Sequence, residues 1–495
     1  MIMISRIFFI LNLLNVFTPK GFWYLFISIY KYGFNLMTLL AYSAYRFPQK
    51  IAICFENKNF TYKEFLQNTQ KIAYVLHAAC YIRKKDKVGV LLHNSVEQIE
   101  TIFALSYLGA DIYLLNPDIT AEQLQPLQEK HQLKAIICEN QHLDRLSGQI
   151  SKKLININQL ETASPIDTIP KGFGGKIIVL TGGTTGGFKT AKHKASAKAF
   201  IYPTYALIKE LQIDKYESVY IAVPIFHGYG LATLLMSVAL GKSMYICKKF
   251  ETKQTLESIE KYRIEVATFV PTMLRRLLLE NTKALASLKC IVCGAAPLPT
   301  ETAKQVIDKL GTILYNLYGS SEAGFCIIAN PKDLEKNIAT IGKPIEGVRV
   351  RIDSPNAEGI GELCIKSDWT INPKDWIYTG DLARLDDNGL VFLYGRKDDM
   401  IISGGENVYP IYTEEVMLKH PAVAEVVVVG VADEDFGQIL KAFVVVKPNQ
   451  GVTEQALKLW LADKLVKFQI PKKIEFVTQI PYTSVGKVQR KSFKN

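Results

Sequence analysis

The chain has 495 residues, 48% of them apolar and 21% charged, with a net charge of +12. That length accommodates two or more domains with sizeable cores, and the composition excludes a disordered or collagen-like chain. The positive charge is not gathered into basic runs interleaved with aromatics, and no zinc-finger spacing occurs, so no nucleic-acid partner is expected.

The first elements are unusual. Met1 to Phe55 holds no acidic residue, while Arg6, Lys20, Lys31, Arg46 and Lys50 give the segment a charge of +5. "IFFILNLLNVF" is too short to span a bilayer. It has the character of a signal-peptide core without a small-residue cleavage site. "FWYLFISIYKYGFNLMTLLAYSAY" is longer but is interrupted by Lys31 and Asn35. Residues 1–45 therefore read as a basic, apolar extension. Two readings stay open: a helix lying peripherally on the inner face of the membrane, or one packed on the protein's own body.

After Pro48 the pattern becomes α/β. "FTYKEFLQNTQKIAYVLHAA" has helical periodicity, with a Thr61 cap and Glu64 three residues on. "KVGVLL", "ADIYLLN", "LKAIIC", "KIIVLTGG", "SVYIAVPIF", "SMYICKKF", "VATFVPT" and "LKCIVCG" are apolar strands alternating with helical stretches. That alternation predicts largely parallel sheets whose strands end in ligand-binding loops. From Val348 the texture shifts to short, turn-rich strands, a small barrel-like β part. The domain boundaries read as 46–397 for a large α/β domain and 398–495 for a small, mobile α+β domain. The eight cysteines are scattered, as suits reduced thiols in the cytoplasm; Cys290 and Cys293 form a C-x-x-C that reads as buried strand.

"VLTGGTTGGFKTAKHKA" (Val179–Ala195) looks built to hold phosphate. It is not a Walker A loop: counting from Gly182, the second glycine falls on Gly187, but Phe188 stands where the lysine belongs. Further along come "PIFHGYG", "CGAAPL", "NLYGSSEAG", "YTGDL", "GRKDDMIISGGENVYP" and "PYTSVGKVQRK". Each alone is an ordinary turn. In this order and spacing, from about Ala44 to Lys491, they resemble the adenylate-forming superfamily of acyl-CoA synthetases, luciferases and peptide-synthetase adenylation domains.

The resemblance implies a carboxylic acid attacking the α-phosphorus of ATP, releasing pyrophosphate and leaving an acyl-adenylate. Catalysis of such a step is mostly positioning and electrostatic stabilisation. On that implication Thr181, Gly183, Thr184, Thr185, Gly186 and Lys189 cradle the β- and γ-phosphates. Glu322, with Thr184, holds Mg²⁺. Gly294, Ala295, Ala296, Asn316, Tyr318, Gly319 and Ser321 surround the adenylate, Asp381 takes the ribose hydroxyls, and Arg396 lies nearby. Lys487 bridges the attacking carboxylate and the α-phosphate. A rotation about Asp398 then brings Ser403, Gly404, Gly405 and Glu406 to a pantetheine tunnel, with Lys467 toward CoA. His227, Tyr229, Phe269, Val270 and Met273 form the acyl pocket, with His227 as its aromatic gate.

Several positions depart from the family pattern. Gly182, Phe188 and Thr190 replace the usual serine, proline and glycine of the phosphate loop. Ile470 stands where many CoA ligases place a basic residue before proline, which keeps a carrier protein's phosphopantetheine open as acceptor. The segment "DWTINPKDWI" is shorter than usual and reads as trimming away from the chemistry. Adenylation domains for amino acids usually carry an aspartate where this chain has His227, which disfavours amino acids. The apolar "ATFVPTML" and the N-terminal extension make a medium- or long-chain fatty acid the expected substrate, with an aryl acid as the alternative. A degenerate, non-catalytic nucleotide-binding member and a membrane-associated scaffold are the remaining readings.

Overall fold

Short polar residues start the first helices. Helix α1 (Ile2–Leu13) is followed by α2 (Pro19–Tyr32), α3 (Leu36–Arg46) and α4 (Tyr62–Ala78). Thr18, Asn35 and Thr61 cap α2, α3 and α4 by accepting hydrogen bonds from first-turn N–H groups, and Glu64 completes a capping box on Thr61. The computed structural model describes residues 2–146, 148, 153–160, 169, 172, 174–182, 188–190, 201–403, 406–433, 436–483 and 486–493. The chain divides into two compact units, Met1–Phe269 with Lys283–Ile291, and Val270–Thr282 with Val292–Asn495.

In the first unit, α3 is part of the core: Met37, Leu40 and Ala41 are fully buried, and Ser43 Oγ donates to Val238 O at 2.6 Å. Helices α1 and α2 are docked more lightly. Phe9 meets Tyr205 edge-on at 5.2 Å, and Tyr42 OH donates to Leu14 O at 2.7 Å. Phe8, Phe22, Trp23, Phe26 and Tyr30 stay exposed. Among the described residues no helix is long and apolar enough to cross a membrane.

The strands of this unit are β1 (Ile51–Phe55), β2 (Lys58–Thr61), β3 (Lys87–Leu91), β4 (Asp111–Leu114), β5 (Ala135–Cys138), β6 (Lys153–Asn156), β7 (Ile177–Gly182), β8 (Phe188–Thr190), β9 (Ser218–Ile221), β10 (Ser243–Ile246) and β11 (Val266–Phe269). One run has the order β11-β9-β10-β1-β2 and a six-stranded sheet the order β6-β5-β3-β4-β7-β8. All pairs are parallel except the hairpins β1–β2 and β7–β8. Strands β5, β9 and β11 are buried along their whole length, as parallel strands covered by helices on both faces must be. In the six-stranded sheet α5 (Val96–Leu108) carries the chain from β3 to β4, and α6 (Ala121–His131) carries it back across β3 to β5.

The unit boundary falls within β12 (Cys290–Gly294). The second unit then contains β13 (Leu314–Ser320), β14 (Gly324–Ala329), β15 (Thr340–Pro344), β16 (Arg349–Asp353), β17 (Gly361–Lys366), β18 (Ile377–Leu385) and β19 (Val391–Arg396). Their order is β16-β17-β18-β19-β15-β14-β13, antiparallel throughout, around a core that includes Ala323, Ile327, Leu363, Ile365 and Val391. The last part of the chain adds β20 (Ile401–Ser403), β21 (Glu406–Val408), β22 (Val423–Asp433), β23 (Gly437–Val446) and β24 (Lys473–Phe476). These form their own five-stranded sheet, with a core of Val416, Met417, Val428, Leu440, Leu457 and Leu461. The fold is thus α/β, with mostly parallel sheets in the larger N-terminal part and a small α+β C-terminal part.

Candidate active site

Four charged side chains converge inside the second unit. Asp381 on β18 and Arg396 at the end of β19 are register partners, and Arg396 Nη1 donates to Asp381 Oδ1 at 3.1 Å and to Thr379 O at 3.3 Å. Tyr318 OH on β13 donates to Asp381 Oδ2 at 2.5 Å. Strands β19, β15 and β14 lie between β18 and β13 in the sheet order, so the sheet curls back far enough to join its two sides. Burial raises the Asp381 carboxyl above its usual range, while the Tyr318 hydroxyl and the Arg396 and Lys487 charges oppose that rise. Burial, then the neighbouring Asp381 charge, pushes the Tyr318 hydroxyl well above the ordinary phenol range.

Lys487 is presented on a turn. Thr483 N donates to Lys487 O at 2.7 Å, Gly486 N to Thr483 O at 2.8 Å, and Lys487 N to Thr483 Oγ1 at 3.1 Å. Gly486 has φ +75°, and a Cβ there would lie 2.4 Å from Val270 Cγ2, so both the turn and the close packing need glycine. Lys487 reaches solvent, yet surrounding protein strips enough water to hold its ammonium below the usual lysine range. Asp381 and Glu322 pull it up and Arg396 pushes it down. This coupling places the lysine in one electrostatic neighbourhood with both carboxylates. Glu322 stands in the turn between β13 and β14.

Two supports of this site carry no signal in the sequence pattern. The first lies under the Glu322 turn. Ile371 N donates to Glu322 O at 2.9 Å, and Trp369, fully buried, donates from Nε1 to Phe325 O at 3.1 Å. The shortened segment read as trimming away from the chemistry is instead the floor of the acidic turn. The second support holds the lysine turn. Arg275, on the helix Pro271–Leu278, meets Glu425 of β22 at 3.2 Å, and Tyr482 OH donates to the same carboxylate at 2.8 Å. Past the turn, Arg490 makes a two-pronged pair with Glu414, at 2.6 and 2.8 Å, and donates to Val428 O at 2.7 Å.

The other anticipated residues fall as follows. Gly294 ends β12, Ala295 follows in the left-handed region (φ 68°), and Ala296 comes next. Asn316, buried, and Gly319 lie on β13 with Tyr318, and Ser321 starts the Glu322 turn. Asp398 sits in a 3₁₀ turn, mostly exposed, 3.9 Å from Arg396 Nη2. Ser403, buried, pairs with exposed Glu406 across β20–β21, and Lys467 is exposed; Gly404 and Gly405 lie outside the described residues. Val270 and Met273 belong to the second unit. His227, Tyr229 and fully buried Phe269 belong to the first.

The phosphate-loop segment also belongs to the first unit. Thr181 pairs with Lys189, and Gly182 with Phe188, so β7 and β8 close a hairpin at its base. Gly183, Thr184, Thr185 and Gly186 lie outside the described residues. Phe188 keeps a backbone N–H within a strand, a donor that a proline lacks.

Comparison with known proteins agrees with this arrangement. The sequence profile of the AMP-binding enzyme matches residues 40–372, and that of the AMP-binding enzyme C-terminal domain matches residues 412–487. A 2-succinylbenzoate–CoA ligase of Geobacillus sp. (strain WCH70) is 30% identical over 480 residues, 91% of this chain and 95% of that protein. An o-succinylbenzoate CoA synthetase from Bacillus subtilis, solved with its acyl-adenylate intermediate, superposes with a TM-score of 0.79. It is 26% identical, and the match covers 92% of this chain and 98% of that one. The same enzyme solved with ATP and a magnesium ion gives a TM-score of 0.80 at 26% identity, covering 92% and 99%. The curled antiparallel sheet, the convergent Asp381, Arg396, Glu322 and Lys487, and these matches lead to one conclusion: the chain belongs to the AMP-binding enzyme family, the adenylate-forming superfamily.

Proposed function

We propose that the chain is an AMP-forming acid–CoA ligase whose acid is an aromatic carboxylic acid of the 2-succinylbenzoate class. It uses ATP, Mg²⁺ and CoA. The observation that carries the ligase reading is Asp381 gripped by Arg396 Nη1 at 3.1 Å and Tyr318 OH at 2.5 Å in the same unit as Lys487. The acid class is supported by relatives of that activity matched along nearly the whole chain, which favour an aryl acid over the expected fatty acid.

Each residue then has a task. Asp381, held by Arg396 and Tyr318, is an acceptor for the ribose hydroxyls. Lys487 places positive charge where the attacking carboxylate meets the α-phosphate, the point at which negative charge builds up. Glu322, a partly exposed carboxylate on a braced turn, fits Mg²⁺, a hard cation that prefers oxygen ligands. Bound there, the ion would neutralise phosphate charge; the protein's part is to fix the carboxylate, through Ile371 and Trp369. Thr181–Thr190 supplies the phosphate cradle. Asp398 is the hinge, and Ser403–Glu406 with Lys467 is the thiol-side face. His227, Tyr229, Phe269, Val270 and Met273 are the acid-side residues.

The test is mass-spectrometric detection of acyl-CoA from ATP, Mg²⁺, CoA and a panel of 2-succinylbenzoate, simple benzoates and C8–C18 fatty acids. Turnover of 2-succinylbenzoate above the rest is the expected result; a preference for fatty acids overturns the acid class.

A peripheral membrane contact belongs to the same reading. Phe22, Trp23, Phe26 and Tyr30 are exposed on α2, which also carries Lys20 and Lys31 and no acid. Aromatics settle at such an interface, and each basic residue near anionic lipid contributes about 1 kcal/mol. Replacing Phe22, Trp23 and Phe26 with serine leaves the buried α3 untouched. The triple variant is expected to lose co-sedimentation with anionic liposomes; no co-sedimentation of the parent chain overturns the contact.

A further inference from the structure

The six-stranded sheet of the first unit gathers a cluster of titratable side chains at the point where its strand order reverses. Its chain path runs from β3 to β4 on one side and then crosses back to β5 on the other, so the order reverses between β3 and β5. In open parallel sheets the crevice beyond the carboxyl ends of the strands, at such a reversal, is where ligands bind. Leu91 and Cys138 are the last register partners of β3 and β5. His93 follows β3 by two residues, Glu139 follows β5 by one, and His142 lies one turn further on. Each of the three offers a ligand atom within 4.8 Å of the other two.

The hydrogen bonding sorts their roles. Glu139 Oε1 accepts from His93 N at 3.0 Å and from His93 Nδ1 at 3.0 Å. Its Oε2 accepts from Gln141 Nε2 at 2.6 Å and faces Lys248 Nζ at 3.3 Å. The carboxylate is therefore fully engaged. By holding the proton on His93 Nδ1 it turns the lone pair of Nε2 outward, and that Nε2 is buried with no hydrogen-bond partner among the described residues. His142 is 4% exposed, and neither of its ring nitrogens has a partner among the described residues. The two imidazoles lie nearly parallel, 5.8 Å between centroids. Buried polar atoms are nearly always paired, so three orphaned imidazole nitrogens at one crevice need an explanation. A carboxylate clamping one nitrogen of a histidine whose other nitrogen is a ligand is the usual outer arrangement of a histidine–metal site.

The geometry points to a divalent transition-metal site of the zinc class, with His93 Nε2 and a His142 nitrogen as ligands and Glu139 orienting His93. Imidazole donors select such ions over Mg²⁺, which takes oxygen ligands. Zinc–nitrogen bonds of about 2.0–2.1 Å place ligand atoms about 3.3 Å apart, so side-chain rotation closes the site, and water completes the coordination.

The experiment uses the full chain without a purification tag, stripped with chelator and titrated with Zn²⁺ by calorimetry and with Co²⁺ by visible absorption. One equivalent of Zn²⁺ and a cobalt spectrum displaced by Zn²⁺ are expected. His93→Ala and His142→Ala abolish both signals, and Glu139→Gln weakens Zn²⁺ binding about 10–100-fold. Lys248→Met, at a half-exposed position that does not endanger folding, tightens binding by removing a competing charge. Failure of the parent chain to bind one equivalent overturns the proposal even if the histidine variants do not fold. So does binding that survives loss of both imidazoles.

Discussion

Glu425→Gln tests how the lysine turn is held. The carboxylate is nearly buried and receives Arg275 at 3.2 Å, Arg276 at 3.6 Å and the Tyr482 hydroxyl at 2.8 Å. Arg275 Nη2 also donates to Tyr482 OH at 3.2 Å, so three groups from two separated parts of the chain share one charge. Glutamine keeps the shape and one acceptor but loses the charge. Hydrogen bonds to charged groups contribute about 1.5–3 kcal/mol. Family resemblance implies that Lys487 acts only before the C-terminal part rotates, so this loss falls on the adenylating arrangement. At 1.4 kcal/mol per tenfold, adenylation slows by about tenfold to 150-fold. The assay compares acid-dependent pyrophosphate release with thioester formation from supplied acyl-adenylate, alongside a melting curve. Selective loss of the first is expected. Equal loss of both, or no loss, refutes the latch.

Lys487→Ala should abolish pyrophosphate release while sparing thioester formation from acyl-adenylate, and equal loss of both would count against its assigned role. Because surrounding protein partly desolvates the Lys487 ammonium, its charge is lost at a lower pH than an ordinary lysine's. The alkaline limb of adenylation therefore falls below the usual lysine range, and Lys487→Arg moves it upward. Restoring Gly182→Ser, Phe188→Pro and Thr190→Gly together changes the ATP KM or the rate by no more than about tenfold, roughly 1.4 kcal/mol. Trp369→Ala removes a fully buried indole that touches the β13–β14 turn, costing about 3–5 kcal/mol in a denaturant melt and raising the Mg²⁺ needed for activity.

What the sequence made legible was local or periodic. Thr61 and Glu64 stand three residues apart, and the capping box they announce is present. The alternating strands gave parallel sheets because fully buried strands need continuous apolar runs. Asp381 and Arg396 fall on adjacent strands of a single hairpin, so motif order brought them together. The latch and the floor were illegible for the opposite reason. Arg275 and Tyr482 are 207 residues apart, and nothing in "PTMLRRLL" distinguishes a buried ion-pair arginine from a solvated one. Trp369 sits in a segment whose shortness suggested trimming; only its indole N–H on Phe325 O shows what it supports. His93, Glu139 and His142 carry no recognisable spacing, because the sheet's reversal rather than the sequence makes them neighbours.

Acid-dependent exchange of labelled pyrophosphate into ATP tests the central claim most directly, because it reports acyl-adenylate formation without any thiol acceptor. The account predicts exchange that requires Mg²⁺, is supported best by 2-succinylbenzoate, and vanishes in Lys487→Ala. Exchange undiminished in Lys487→Ala, or none with any acid in the parent chain, would contradict it.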